Sequence, residues 1–364
     1  MKKKVLHITK YYKPIIEDDS ILPEFFIDAL KQTKNNEQQI LTYGYDNKIV
    51  KENIDGLPIL RIGGSFTLFG ERLSYDYSYE LDHILKMFEP DTVFLYYPNY
   101  YAAKHLLKLI PASTKLVLVL QKRENSRFLF FRKLIDRSII SRADVILLMS
   151  KDSNYKLNNQ NEKKVSVLEV GYKKSGSRSL DKVEKIKSSI GKKHLIYSNL
   201  FLNKKPQIKI MLKTLRSLGN NYILYVLVNN KQFEKIEKLI NNRFKDIKEQ
   251  IKVINYQYYK EDLNYISAAS IYLDIEKREK NYVGYSNLRV IAAGIPMVSF
   301  VSGVNKNKES GLVSLENSKD LAINIKKICG DSLEHYNFSL STETYFNDVY
   351  SFDDFLNQII NLNL

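Results

Sequence analysis

A single cysteine, Cys329, stands in the 364 residues, so neither a disulfide framework nor a cysteine-rich metal site can be built. The five histidines are scattered and show no zinc-ligand spacing, so no metal site is expected. No stretch approaches the ~18 consecutive apolar residues of a membrane-crossing helix. The start, MKKKVLHITKYY, has the charged opening of an export signal. Its apolar run, however, is only Val5 to Ile8 with His7 inside it, short of the ~7 or more residues that such a signal needs. A cytoplasmic protein is expected. Signatures of nucleic-acid recognition modules are missing too, so nucleic acid is not an expected partner.

At 44% hydrophobic and 27% charged, the chain can bury sizeable cores, and its length suggests two domains. Its net charge of +15 has three readings: nucleic-acid binding, contact with an anionic membrane surface, or a genome whose codons favour Lys, Asn, Ile and Tyr. If the charge serves a membrane surface, basic side chains should cluster on one face of the amino-terminal domain.

Over the first 150 residues, short aliphatic runs alternate with amphipathic stretches. KKVLHIT, QQILTYGY, LPILRIG, TVFLYYP, TKLVLVLQ and DVILLMS read as strands. Between them ILPEFFIDALKQTK, SYELDHILKMFEPD, YYAAKHLLKLIP and FLFFRKLIDRSIISRA read as helices. The same rhythm returns from KKHLIYSN to PMVSFVSG, and YSFDDFLNQIINL closes the chain as an amphipathic helix. Strand–helix alternation of this kind means parallel strands joined by crossovers, the doubly wound α/β class. The polar segment KKSGSRSLDKVEKIKSSIGKK reads as the junction between two such domains. The expected division is 1–172, 173–345 and a tail, 346–364, that crosses back to the first domain.

Seven short motifs, in order, resemble the family-4 glycosyltransferases of the GT-B fold. They are VLHITKYYKP, DVILLMSKDSNYKL, VSVLEVGYK, LIYSNLFLNKKPQIKIMLKTL, GYSNLRVIAAGIPMVSF, ESGLV and the tail. The resemblance spans nearly the whole chain. It implies two doubly wound Rossmann-like domains facing a cleft, and transfer of a sugar from a nucleotide diphosphate sugar donor. The acceptor would be a glycan, a lipid-linked molecule or a protein, as in surface polysaccharide or glycoconjugate synthesis. Retention of configuration is implied, with no cofactor and no metal. The chemistry of GYSNLRVIAAGIPMV fits: a helix amino end is an anion site, and Gly284 lets backbone approach a diphosphate. Ser286 and Asn287 read as caps of a helix from Leu288 to Ala293, which Gly294 and Pro296 stop. The donor set expected from the resemblance is Asn199, Lys204, Lys205, Gly284, Tyr285, Ser286, Asn287 and Arg289. Asp18, Asp19 and Lys122 form the acceptor-side loop.

This sequence departs from the family at several of these places. The motif's two glutamates, eight positions apart, are Asn281 and Arg289 here; a guanidinium cannot accept a hydrogen bond from a ribose hydroxyl. The arginine of the basic pair is Asn199, while Lys204 keeps the second place. Asp18-Asp19 replace a Gly-Gly loop, and Gln121-Lys122 stand where a histidine often follows the strand. Either Arg289, Lys204 and Lys205 form a rearranged phosphate clamp, with Glu276 or Glu279 supplying a carboxylate, or the scaffold serves as a non-catalytic partner in a glycosylation or secretion system. Plainer roles stay open beside these: Lys204 as a solvated lysine, Asp18-Asp19 as a helix cap, Arg289 in a surface ion pair with Glu276 or Glu279. The tyrosines Tyr75, Tyr77, Tyr79, Tyr96, Tyr97, Tyr100 and Tyr101 could stack on sugar rings or pack in the core.

Overall fold

The computed structural model describes residues 2–362 except 14–17, 34, 45–47, 64–65, 69–70, 121–128, 150–158, 174–178, 201–204, 229, 256–261, 275–284, 300–311 and 315–317. The chain divides into two compact units: residues 1–171 with 352–364, and residues 172–351.

The first unit runs β1 (Lys3–Ile8), α1 (Asp18–Gln32), β2 (Asn36–Tyr43), β3 (Val50–Ile54), β4 (Leu57–Ile62), β5 (Phe66–Leu68), β6 (Glu71–Leu73), α2 (Tyr77–Phe88), β7 (Thr92–Tyr97), α3 (Tyr100–Leu109), β8 (Lys115–Leu120), α4 (Leu129–Arg142), β9 (Val145–Leu148), α5 (Asn159–Glu162) and β10 (Val165–Val167). Among the described residues its sheet has the order β10-β9-β8-β7-β1-β2-β4-β3. β7 and β8 are apolar at nearly every position because both faces are covered, as parallel sheets require. Within this sheet all pairs are parallel except β3 with β4, a hairpin that the strand reading passed over, and β5 and β6 form a separate antiparallel pair. Its signal was the Asp55-Gly56 dipeptide: both residues sit at positive φ, 52° and 79°, as a two-residue turn between twisted antiparallel strands needs.

The second unit runs α6 (Leu180–Ile190), β11 (His194–Leu200), α7 (Lys205–Leu218), β12 (Tyr222–Val228), α8 (Asn230–Arg243), β13 (Ile251–Asn255), α9 (Asp262–Ala268), β14 (Ile271–Asp274), α10 (Tyr285–Ala292), β15 (Met297–Ser299), β16 (Leu312–Ser314), α11 (Ser318–Gly330) and α12 (Ser332–Val349). Its sheet, β13-β12-β11-β14-β15-β16, is parallel throughout. The polar stretch read as the domain junction contains α6, for a clear local reason. Ser179 caps that helix by accepting from the Lys182 amide, and Val183 and Ile190 bury an apolar edge of it. The Ser179 amide in turn donates to Asn264 Oδ1 of α9 at 2.8 Å.

The last helix, α13 (Phe352–Asn361), belongs to the first unit. Phe355, fully buried, meets Phe26 of α1 edge-on at 5.3 Å, and Gln358 Oε1 accepts from the Glu169 amide at 3.0 Å. In the same core His7 is wholly buried between Tyr96 and Gln38.

Charge is divided unevenly. Residues 172–351 hold 30 of the 56 basic and 18 of the 41 acidic side chains, so +12 of the +15 lies in the second unit. The first unit, with 26 basic and 23 acidic side chains, carries the remaining +3. Among the described residues no helix is long and apolar enough to cross a membrane, and no cluster of metal-ligating side chains occurs.

Candidate functional site

In an open parallel sheet, ligands bind outside the carboxyl ends of the strands, where the strand order reverses. In the second unit that point lies between β11, which leads to β12 on one side, and β14 on the other. The two strands are tied there: Ser198 Oγ donates to the Leu273 carbonyl at 2.7 Å. Beyond β11 the chain enters α7, and beyond β14 it enters α10. Two helix amino ends, whose first N–H groups have no partner within the helix, therefore follow adjacent strands.

Most of the expected donor set falls on these segments. Asn199 is the next-to-last residue of β11, Lys205 the first of α7, and Tyr285 and Ser286 the first two of α10. Lys204 and Gly284 lie outside the described residues, as do Asn281, Glu276 and Glu279. In the first unit, Asp18 and Asp19 are the first two residues of α1, and Lys122 again lies outside the described residues.

Two donor-set side chains are placed in detail, and both differ from expectation. α10 starts three residues before Leu288, so Asn287 is inside the helix and does not cap it. It is 1% exposed, and its Nδ2 donates to Asp274 Oδ2, at the carboxyl end of β14, at 2.7 Å. Arg289 is not a surface residue either. It is 2% exposed and donates from Nη1 to Oδ2 of Asp262 at 3.2 Å. Asp262 is itself fully buried at the start of α9, and the Tyr197 hydroxyl of β11 donates to its other oxygen. An arginine in the place of a carboxylate is thus answered by a carboxylate from another helix, 27 residues earlier.

Two polar ties therefore fix the first turns of α10, Asn287 to β14 and Arg289 through Asp262 to α9 and β11. Apolar packing completes the frame, with Leu288, Val290, Ile291 and Ala292 all buried. The helix ends as the sequence predicts: Gly294 takes φ 66°, its amide reaches the Ile291 carbonyl, and the Ile295 amide reaches Val290. Asp262, Asp274 and Tyr197 were missed because nothing in their local spacing marks them.

The tyrosines proposed for sugar stacking separate clearly. Tyr77, Tyr96, Tyr97 and Tyr100 are core residues, whereas Tyr75 and Tyr79 are 88% and 73% exposed. Tyr101 spends its hydroxyl on the Ser74 carbonyl at 2.9 Å.

No protein-family model matches the chain, and no curated protein does. Solved structures match along its full length. Sucrose-phosphate synthase from Thermosynechococcus elongatus superposes with a TM-score of 0.74 at 10% identity, covering 100% of this chain and 98% of that one. Anabaena HepE, solved with UDP and glucose, gives 0.72 at 12% identity over 99% of both chains. A Listeria monocytogenes structure assigned as a UDP-N-acetylglucosamine 2-epimerase gives 0.63 at 13% identity, over 99% of this chain and 95% of its own. At such identities the likeness concerns fold, and that is what it shows: this chain has the architecture of the GT-B glycosyltransferases, built from two Rossmann-like units.

Proposed function

We propose that the chain is a family-4-like glycosyltransferase that moves a sugar from a uridine diphosphate sugar to a glycan, lipid-linked or protein acceptor. The observation that carries this is that two helices, α7 and α10, follow the adjacent strands β11 and β14 at the strand-order reversal of the second unit. A diphosphate is the ligand such a pair suits, because backbone N–H groups and the helix dipoles both favour negative charge. The fold adds support, since HepE has been solved with UDP-glucose as well as with UDP.

In this reading Gly284, Tyr285 and Ser286 offer backbone amides to the diphosphate, and Asn199 lines the end of β11. Lys204 and Lys205 supply the positive charge that stabilises the departing nucleoside diphosphate, with retention and without a metal. Asn287 and Arg289 act from behind, holding the first turns of α10 where the phosphates dock. Asp18, Asp19 and Lys122 face the acceptor. The protein would work in the cytoplasm, at the inner membrane surface where a lipid-linked acceptor is used.

Calorimetric titration with uridine, guanosine and thymidine diphosphate sugars tests the proposal. Wild type should bind the uridine form. Lys204→Ala should bind it about 10- to 150-fold more weakly, the equivalent of one charge-assisted contact, with unchanged melting. If wild type binds none of the three, the proposal fails.

A further inference from the structure

The first unit has a strand-order reversal of its own, between β1 and β7. Asn99 lies at it, two residues beyond the end of β7. This residue caps α3: its Oδ1 accepts from the Ala102 amide at 3.4 Å, and its carbonyl from Ala103 at 2.9 Å. It is only 1% exposed. With Oδ1 committed to the helix, the side-chain Nδ2 is left as a buried donor with no hydrogen-bond partner. Native proteins rarely leave such a group, and where they do a ligand is one explanation.

The surroundings favour an anion. α3 is a ten-residue helix, and the positive end of its dipole lies at the same place. Lys10, 6% exposed, lies two residues beyond β1, the neighbouring strand, with its Nζ 5.8 Å from the centre of the Tyr11 ring. Asp136, the carboxylate tied to this part of the sheet, already accepts the Tyr97 hydroxyl. The atom of Asn99 left without a partner is a donor, so the group it suits is an acceptor. A sugar hydroxyl would want to give as well as take; a phosphate only takes.

We propose that Asn99 Nδ2 and the amino end of α3 bind a phosphate group carried by the acceptor. Calling its carrier the acceptor rests on the transferase reading; the anion site does not. The phosphate could belong to a soluble sugar phosphate or to a lipid carrier, and the two are separable by experiment.

Asn99→Asp is the sharp variant. It keeps an oxygen to cap α3, and Asp caps as well as Asn, but it turns the free donor into a charged acceptor. The full chain is titrated with a hexose phosphate, and separately with phosphatidylcholine vesicles carrying polyprenyl phosphate. Wild type should bind one of these probes, which identifies the source, and Asn99→Asp should bind it about 10- to 150-fold more weakly. Should Asn99→Asp melt early, Asn99→Ser, which caps but lacks the amide, replaces it with the same expectation. Binding of neither probe, or equal binding by wild type and variant, overturns the proposal. UDP binding is measured on the same samples: its persistence beside a failed phosphate result spares the donor site, and its absence in wild type rejects the transferase while leaving the phosphate result to stand alone.

Discussion

Arg289→Met should cost the second unit about 3–5 kcal/mol, because it leaves the Asp262 carboxylate buried without its cation. Both side chains are almost wholly out of water, so solvent cannot substitute for the lost partner. Replacing both, as in Arg289→Met with Asp262→Leu, should return much of that loss, since two apolar groups avoid the desolvation of two charges. The measurement is a double-mutant cycle by urea unfolding. Additive single effects, or a loss under about 1 kcal/mol for Arg289→Met, would show that the pair is not a brace. The doubly apolar protein is informative about the donor site too. If Arg289 only supports α10, that protein should bind a uridine diphosphate sugar almost as wild type does.

The second large effect is an acid-sensitive core. Gln38 donates from Nε2 to the Ile27 carbonyl, so its Oε1 is the group that meets His7 Nε2 at 3.0 Å, and the imidazole must donate there. Nδ1 then accepts the Tyr96 hydroxyl, also at 3.0 Å, which satisfies the neutral ring completely. Burial pushes the pKa from 6.5 down to about 3, outweighing the opposite pull of the Gln38 bond. In the unfolded chain the ring protonates near pH 6.5, whereas the folded protein refuses the proton until about pH 3. The contribution is therefore complete above pH 6.5 and is lost as pH falls towards 3. By pH 4.5 the loss is about 3 kcal/mol. Urea midpoints between pH 6.5 and 4.5 should fall more steeply for wild type than for His7→Asn, whose amide can both donate and accept but does not titrate in this range. Parallel slopes, or an imidazole signal that titrates near 6.5 in the folded protein, would contradict the assignment.

Much of this fold could be read from hydrophobic rhythm, because parallel strands covered on both faces leave unbroken apolar runs such as TVFLYY and YILYVLV. Polar elements were harder. β3, VKENI, is an exposed edge strand whose pattern carries almost no apolar signal, and only its Asp-Gly turn betrays it. α6 is masked by lysines, and α12 by an apolar content spread around its circumference. The segments that carry the candidate site were legible as elements: a strand at β11 and helices at α7 and α10 were all expected from the sequence. Side-chain roles on α10 were not. Reading Arg289 as a surface residue assumes that one helix face meets water, but residues 287–292 are all buried. Its partner, Asp262, is brought to it by the crossover between β13 and β14, a tertiary event without local trace.

The first unit is assembled from both ends of the chain, and this sets an order on biosynthesis. Phe355 completes a core that otherwise ends at residue 171, and the intervening residues 172–351 must leave the ribosome before it arrives. At ordinary elongation speeds of about 5–20 residues per second, that interval is roughly 10–40 s. Throughout it, the α1 face around Phe26 is uncovered in the nascent chain while the second unit has time to fold. The amino-terminal unit, although made first, is thus the last to be finished, and a stalled or truncated message yields a closed carboxyl unit attached to an open amino one.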